Sequence, residues 1–177
     1  MKKLKFASLF CAFLYAQAVF GDLNVNTSMN TTSGDSVTAW ENYVGPGNNI
    51  FVATQSGGVW VPSVGVANPA TFPMLAQTGI NTSGQSVVIW LATDPISSNQ
   101  AVYGSIFNGT SWVTTQVSDG ANEYVLGNHQ VKIANDGRIV ITWAAFVFTT
   151  FTNEARAFNV PPPYGTSFTG ITPVSIP

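Results

Sequence analysis

The chain has 177 residues, a formal net charge of −2 and only 8% charged residues, where an average soluble protein carries about 25%. Six Lys and Arg in all are too few to neutralise the phosphates of a nucleic acid or to grip an anionic lipid surface. A single cysteine excludes an intrachain disulfide and a thiolate metal cage, so packing alone must stabilise the fold.

The first element is a targeting segment. Lys2, Lys3 and Lys5 precede an apolar stretch from Phe6 to Ala16, and Ala16-Gln17-Ala18 fits a small-residue cleavage site. Cations, a short apolar run and a small-residue exit are the pattern of a secretory signal peptide. The run is about half the roughly 20 residues a membrane span needs. A signal over 1–21 predicts a secreted, periplasmic or cell-surface protein and takes Cys11 away with it. Losing the three lysines moves the net charge from −2 to about −5 and leaves Lys132, Arg138 and Arg156 as the only cations.

The rest repeats. Gly34, Gly84 and Gly137 are each followed six residues later by Trp40, Trp90 and Trp143, in the strings SGDSVTAW, SGQSVVIW and DGRIVITW. The Trp spacing is 50 residues and then 53. A second signature follows in each copy: Gly58-Val59-Trp60, then Asn108-Gly109-Thr110-Ser111-Trp112, then Tyr164-Gly165-Thr166-Ser167-Phe168. Such self-similarity marks a repeat architecture. It divides the chain into copies over 22–72, 73–125 and 126–177.

Each copy predicts four short strands. In the second copy they fall near 74–78, 85–91, 101–107 and 111–117. Asn108-Gly109 forms a hairpin turn, because Gly tolerates the positive φ of a tight loop. No segment beyond the signal has a 3.6-residue apolar period, so almost no helix is expected. The third copy differs. Its apolar run Ala144–Phe151 predicts two long paired strands, with an exposed apolar loop as the alternative. Pro161-Pro162-Pro163 then stiffens the connection to the last strand.

Four antiparallel strands per unit of about 50 residues is the blade of a β-propeller. The expected fold is therefore all-β: three tandem four-stranded antiparallel blades. Propellers close with about four to eight blades. A homodimer or higher oligomer completing the ring, a remnant of a longer propeller, and an open array all fit three. The Trp side chains are expected mainly as packing anchors between blades, with a minority reading in which Trp60, Trp112 and Trp90 bind a ligand by stacking on a sugar.

The turn-plus-Trp signature resembles the Asp-box of sialidase-like propellers, S-x-D-x-G-x-[ST]-W. Ser105, Gly109, Ser111 and Trp112 fall on it, with Phe107 in the place of the Asp. The resemblance implies a blade fold. Sialidase chemistry would need an arginine triad, and only Arg138 and Arg156 are present beside Lys132. No other constellation points to catalysis. His129 stands alone and is expected at a surface or edge, which leaves no His-based metal site. Asp35 and Asp136 lie at turns, where Asp bonds nearby backbone. Glu41 and Asp94 follow second strands, and neither belongs to a recognisable acid pair. Asn26, Asn30, Asn81 and Asn108 begin N-x-[ST] sequons. No catalytic residue, metal ligand or cofactor is predicted. The expected function is a non-enzymatic binding module for a carbohydrate or protein, with no nucleic acid partner.

Overall fold

Each copy opens with a strand that must reverse within a few residues, and the same device does it twice. Asn30 Oδ1 accepts the N–H groups of Thr32 and Ser33 at 2.9 and 3.3 Å. Asn81 Oδ1 accepts those of Ser83 and Gln85, both at 3.0 Å. Gly34 and Gly84 then take φ of +77° and +79°, a region that a Cβ disfavours. The third turn has Ala134 at the Asn position. It keeps Gly137 at φ +94° and uses Asp136 Oδ1, which accepts from the Arg138 N–H at 2.9 Å. The expected local role of Asp136 is thus observed.

The computed structural model describes residues 24–42, 49–61, 64–66, 70–107, 110–161 and 174–176. The signal segment with Cys11, the 43–48 loop, the Asn108-Gly109 turn, Pro162-Pro163 and the Tyr164–Phe168 signature lie outside them.

Three antiparallel sheets follow one another along the chain. The first contains β1 (Val25–Met29), β2 (Ser36–Asn42), β3 (Asn49–Ser56) and β4 (Val59–Trp60) in that order, with β5 (Val64–Gly65) also on β3. The second is β6 (Thr71–Ile80), β7 (Ser86–Thr93), β8 (Gln100–Phe107) and β9 (Trp112–Gln116). The third is β10 (Glu123–Ile133), β11 (Ile139–Val147), β12 (Thr152–Val160) and β13 (Val174–Ile176). No helix occurs among the described residues, and so none that could cross a membrane. The four strands expected in the second copy coincide with β6 to β9. Both sheet junctions come slightly earlier than the copy boundaries. β6 starts at Thr71 and β10 at Glu123, the latter after a turn in which Asp119 accepts from the Ala121 N–H at 3.2 Å.

The third copy's apolar run forms the long β11–β12 hairpin, paired without a break from Ile139↔Val160 to Val147↔Thr152. Of the aromatic tip, Phe151 is 79% exposed.

The core lies in two layers between consecutive sheets. Val37, Ala39, Ile50 and Val52 of the first sheet meet Val88, Trp90, Ala92, Ala101 and Tyr103 of the second. The other face of the second sheet presents Val87, Ile89, Leu91, Val102 and Ile106. These meet Val125, Val131, Ile139, Ile141, Trp143 and Phe158 of the third. The middle sheet is apolar on both faces, so β7 reads as a near-continuous buried run rather than an alternation. Trp90 and Trp143 occupy equivalent positions and point towards the preceding sheet. Both are buried, as expected of packing anchors, and Trp90 stacks on Tyr103 with ring centroids 6.3 Å apart.

Polar groups also tie the sheets together. Asn30 Nδ2 donates to the Asn81 carbonyl at 3.1 Å, and Asn81 Nδ2 donates to the Ala134 carbonyl at 3.2 Å. One side chain thus caps its own turn and bonds the equivalent turn of the next sheet. Asn30 and Asn81 are 4% and 3% exposed, so folding takes both out of use as glycosylation sequons. Asn26 is likewise engaged, since its Oδ1 accepts from the Thr78 N–H and hydroxyl.

Candidate functional site

The first two sheets diverge at their Gly-turn end and leave a cleft of about 700 Å³, within the roughly 300–1,000 Å³ typical of ligand sites. The first sheet contributes Val52, Thr54, Gln55, Ser56, Val64 and Gly65, together with Val61. The second contributes Ile80, Ser83, Gly84, Ser86, Phe107, Thr110, Ser111 and Trp112. Asp35 and Ser36 complete the wall.

Strand pairing positions the aromatic side. Phe107 at the end of β8 is the register partner of Trp112 at the start of β9, and their rings lie 5.4 Å apart at 42°. Trp112 and Ile80 are half-buried against the core between the first two sheets, so the aromatic wall rests on rigid packing. The first-sheet side mixes Val52, Val61 and Val64 with polar groups. Ser36 Oγ donates to Gln55 Oε1 at 3.1 Å. Asp35 Oδ2 accepts from the Ser33 hydroxyl at 2.8 Å, and its Oδ1 accepts from the Gly57 N–H at 3.0 Å. Those bonds, the Ser33 hydroxyl first, hold the Asp35 carboxyl below its ordinary range. The local turn role expected for Asp35 thus extends to a second turn 22 residues away.

The same space between the second and third sheets is filled. By strand register, Thr54, Ser86 and Phe107 of the open cleft correspond to Ile106, Ile139 and Val160. All three are part of the buried apolar cluster. One repeat interface keeps an open cleft of mixed polar and apolar lining at this end; the other is closed and apolar there.

The three Trp residues singled out from the sequence separate. Trp112 lines the cleft. Trp60 occupies the equivalent position in the first sheet, paired with Gln55; it is half-buried and does not line the cleft. Trp90 is 0% exposed, so no ligand can reach its ring in this fold. Asp35, Gln55, Ser83 and Ser86 were not singled out as site residues. Their converging on Trp112 depends on how two sheets pack, which the repeat does not encode.

The other charged groups weighed from the sequence, Glu41, Asp94 and His129, are bonded within the fold. His129 is not at the surface, as expected from its isolation, but buried at 6% exposure. The correction has a local cause: β10 carries an irregularity between Gly127 and Gln130, with Gly127 and Asn128 at φ +111° and +54°. His129 Nε2 donates to the Leu75 carbonyl at 2.6 Å, and burial holds its pKa down. Glu41 is 1% exposed, and its Oε1 accepts from the Leu75 N–H at 2.6 Å and from Asn24 Nδ2 at 2.9 Å. Asp94 accepts from the Ile96 N–H and the Ser97 hydroxyl.

Glu123, at the start of β10, is buried. Trp143 Nε1 donates to it at 3.0 Å, and Arg156 pairs with it at 3.2 Å while also reaching Glu154 at 3.2 Å. Burial pushes the Glu123 carboxyl up, against the opposing pull of Arg156. Arg138 pairs with Asp136 at 3.5 Å on an exposed turn. No group of three or more His, Cys, Asp or Glu among the described residues is disposed to hold a metal ion.

No family model matches the chain, and no curated protein matches it. Among solved structures, it is similar to a fucose lectin from Kordia zhangzhouensis, solved in complex with methyl-fucoside. The TM-score is 0.46 at 12% identity, over 75% of this chain and 90% of that one.

Proposed function

We propose that this chain is an exported, non-enzymatic β-repeat protein that binds a saccharide in the cleft between its first and second sheets. The observation that carries this reading is the cleft's composition. An aromatic pair, Phe107 and Trp112, shares the cleft lining with Thr54, Gln55, Ser56, Ser83 and Ser86. A pyranose has an apolar face that stacks on an aromatic ring and a rim of hydroxyls that both donate and accept hydrogen bonds. Hydroxyl and amide side chains match that rim. The test is a glycan array followed by calorimetry. Trp112→Ala is expected to abolish retention without unfolding the chain, whereas Trp60→Ala keeps it. Retention that survives Trp112→Ala would rule the cleft out. Export is tested by N-terminal sequencing of the product, expected to begin after Ala18 or Gly21.

The same reading takes the three sheets as propeller-type blades. Their shared strand order and the equivalent placement of Trp90 and Trp143 support it. The third sheet's outward face carries Tyr124, Leu126 and Val140, which are 41%, 49% and 37% exposed. In the second sheet the position of Val140 is held by Val87, 0% exposed beneath the third sheet. A second copy continuing the stack would cover this face, and a sedimentation measurement is expected to find a dimer. A stable monomer at high concentration would remove that part of the reading.

A further inference from the structure

Among the described residues that line the cleft, Asp35 is the single charged side chain. It stands at the mouth, where the turns of the two sheets approach. A Cβ on Gly84 would lie 3.9 Å from Asp35 Oδ2, so the carboxylate faces the second sheet's turn across the opening. Ser33, Gly57 and Ser56 bond the carboxylate, which leaves it about one of its roughly four accepting positions. None of the described cations lines the cleft to offset it. Arg138 is paired with Asp136, Arg156 is held between Glu123 and Glu154, and Lys132 is exposed on β10.

We infer, on the basis of the saccharide reading above, that Asp35 is a specificity-determining residue that makes the cleft select neutral and amino-bearing sugars and reject acidic ones. An ammonium at the mouth would pair with the carboxylate, whereas a uronate or sialate carboxylate would meet a like charge with no cation beside it. Placing like charges together is how binding sites exclude wrong partners. The hydrogen bonds keep Asp35 ionised across neutral pH, so a pH dependence of the amino preference follows the sugar's ammonium.

The experiment is calorimetry with three probes of matched length: glucosamine oligomers, N-acetylglucosamine oligomers and oligogalacturonate. The amino oligomer is expected to bind about two- to fivefold more tightly than the neutral one, the scale of one partly exposed ion pair. The difference should fade at high salt. The acidic oligomer is expected at least about tenfold weaker than the neutral one. Asp35→Asn should bring the amino and neutral oligomers to equal affinity, with a cooperative urea transition reporting a folded chain. Ser83→Lys, an exposed change at the same mouth, should raise affinity for oligogalacturonate. Acidic binding equal to neutral, or an amino preference unchanged in Asp35→Asn, would overturn the inference while leaving a saccharide site standing. Failure of all three probes to bind would overturn both.

Discussion

Trp90, His129 and Arg156 show how a side chain's neighbours decide its role. Trp90 is enclosed on the face between the first two sheets, and Trp90→Ala is expected to cost about 3–5 kcal/mol, read as a lower urea midpoint. That cost would obscure any effect on binding, so Trp112 is the position to test for ligand contact. Burial lowers the pKa of His129, so the folded state binds its proton less readily than the unfolded chain. Above the unfolded value both states are neutral and nothing is lost. As pH falls through that value the unfolded state takes up the proton first, and stability declines. The urea midpoint should therefore drop between about pH 7.5 and about pH 5.5, and the drop should shrink in His129→Gln. Arg156 neutralises a carboxylate whose side chain is 2% exposed. Arg156→Met would leave Glu123 as an uncompensated buried charge. A loss of about 3 kcal/mol is expected, diminishing at acidic pH as Glu123 takes up a proton.

Turns and strand irregularities do more here than length or propensity. Asn81 caps a turn and donates to Gln85 and to the third sheet while almost fully buried. Asn81→Ala removes these bonds at once and leaves the Ser83 and Gln85 amides without their acceptor. A loss of about 2 kcal/mol is expected, measured as a lower Tm. The strand pattern of the second copy was legible from β-branched residues after a Ser-Gly turn, since β7 is Val-Val-Ile-Trp-Leu-Ala between polar ends. The burial of His129 was not, because it follows from the irregularity in β10, where Gly127 and Asn128 change which face the next residue takes. The long β11–β12 hairpin was legible as paired strands. Its register, unbroken over nine pairs, needed the pairing itself.

At the scale of the whole molecule, the two repeat interfaces are chemically unlike. The open one is lined by Thr54, Ser86 and Phe107, and the closed one is plugged by Ile106, Ile139 and Val160. Calorimetry should accordingly find about one saccharide per chain, rather than one per interface. The sequence alone determined the all-β class, three copies and their turns, because strand period, turn glycines and Trp spacing are local and repeat visibly. It gave packing as the main reading of the Trp residues, with Trp90 still standing beside Trp60 and Trp112 as a candidate ligand contact. Only the tertiary structure decided which interface stays open, because that depends on side chains from strands about 30 to 60 residues apart meeting across two sheets. It likewise separated Trp112, at a cleft wall, from Trp60 and Trp90. All three sit at repeat positions, and the surroundings that distinguish them come from neighbouring sheets.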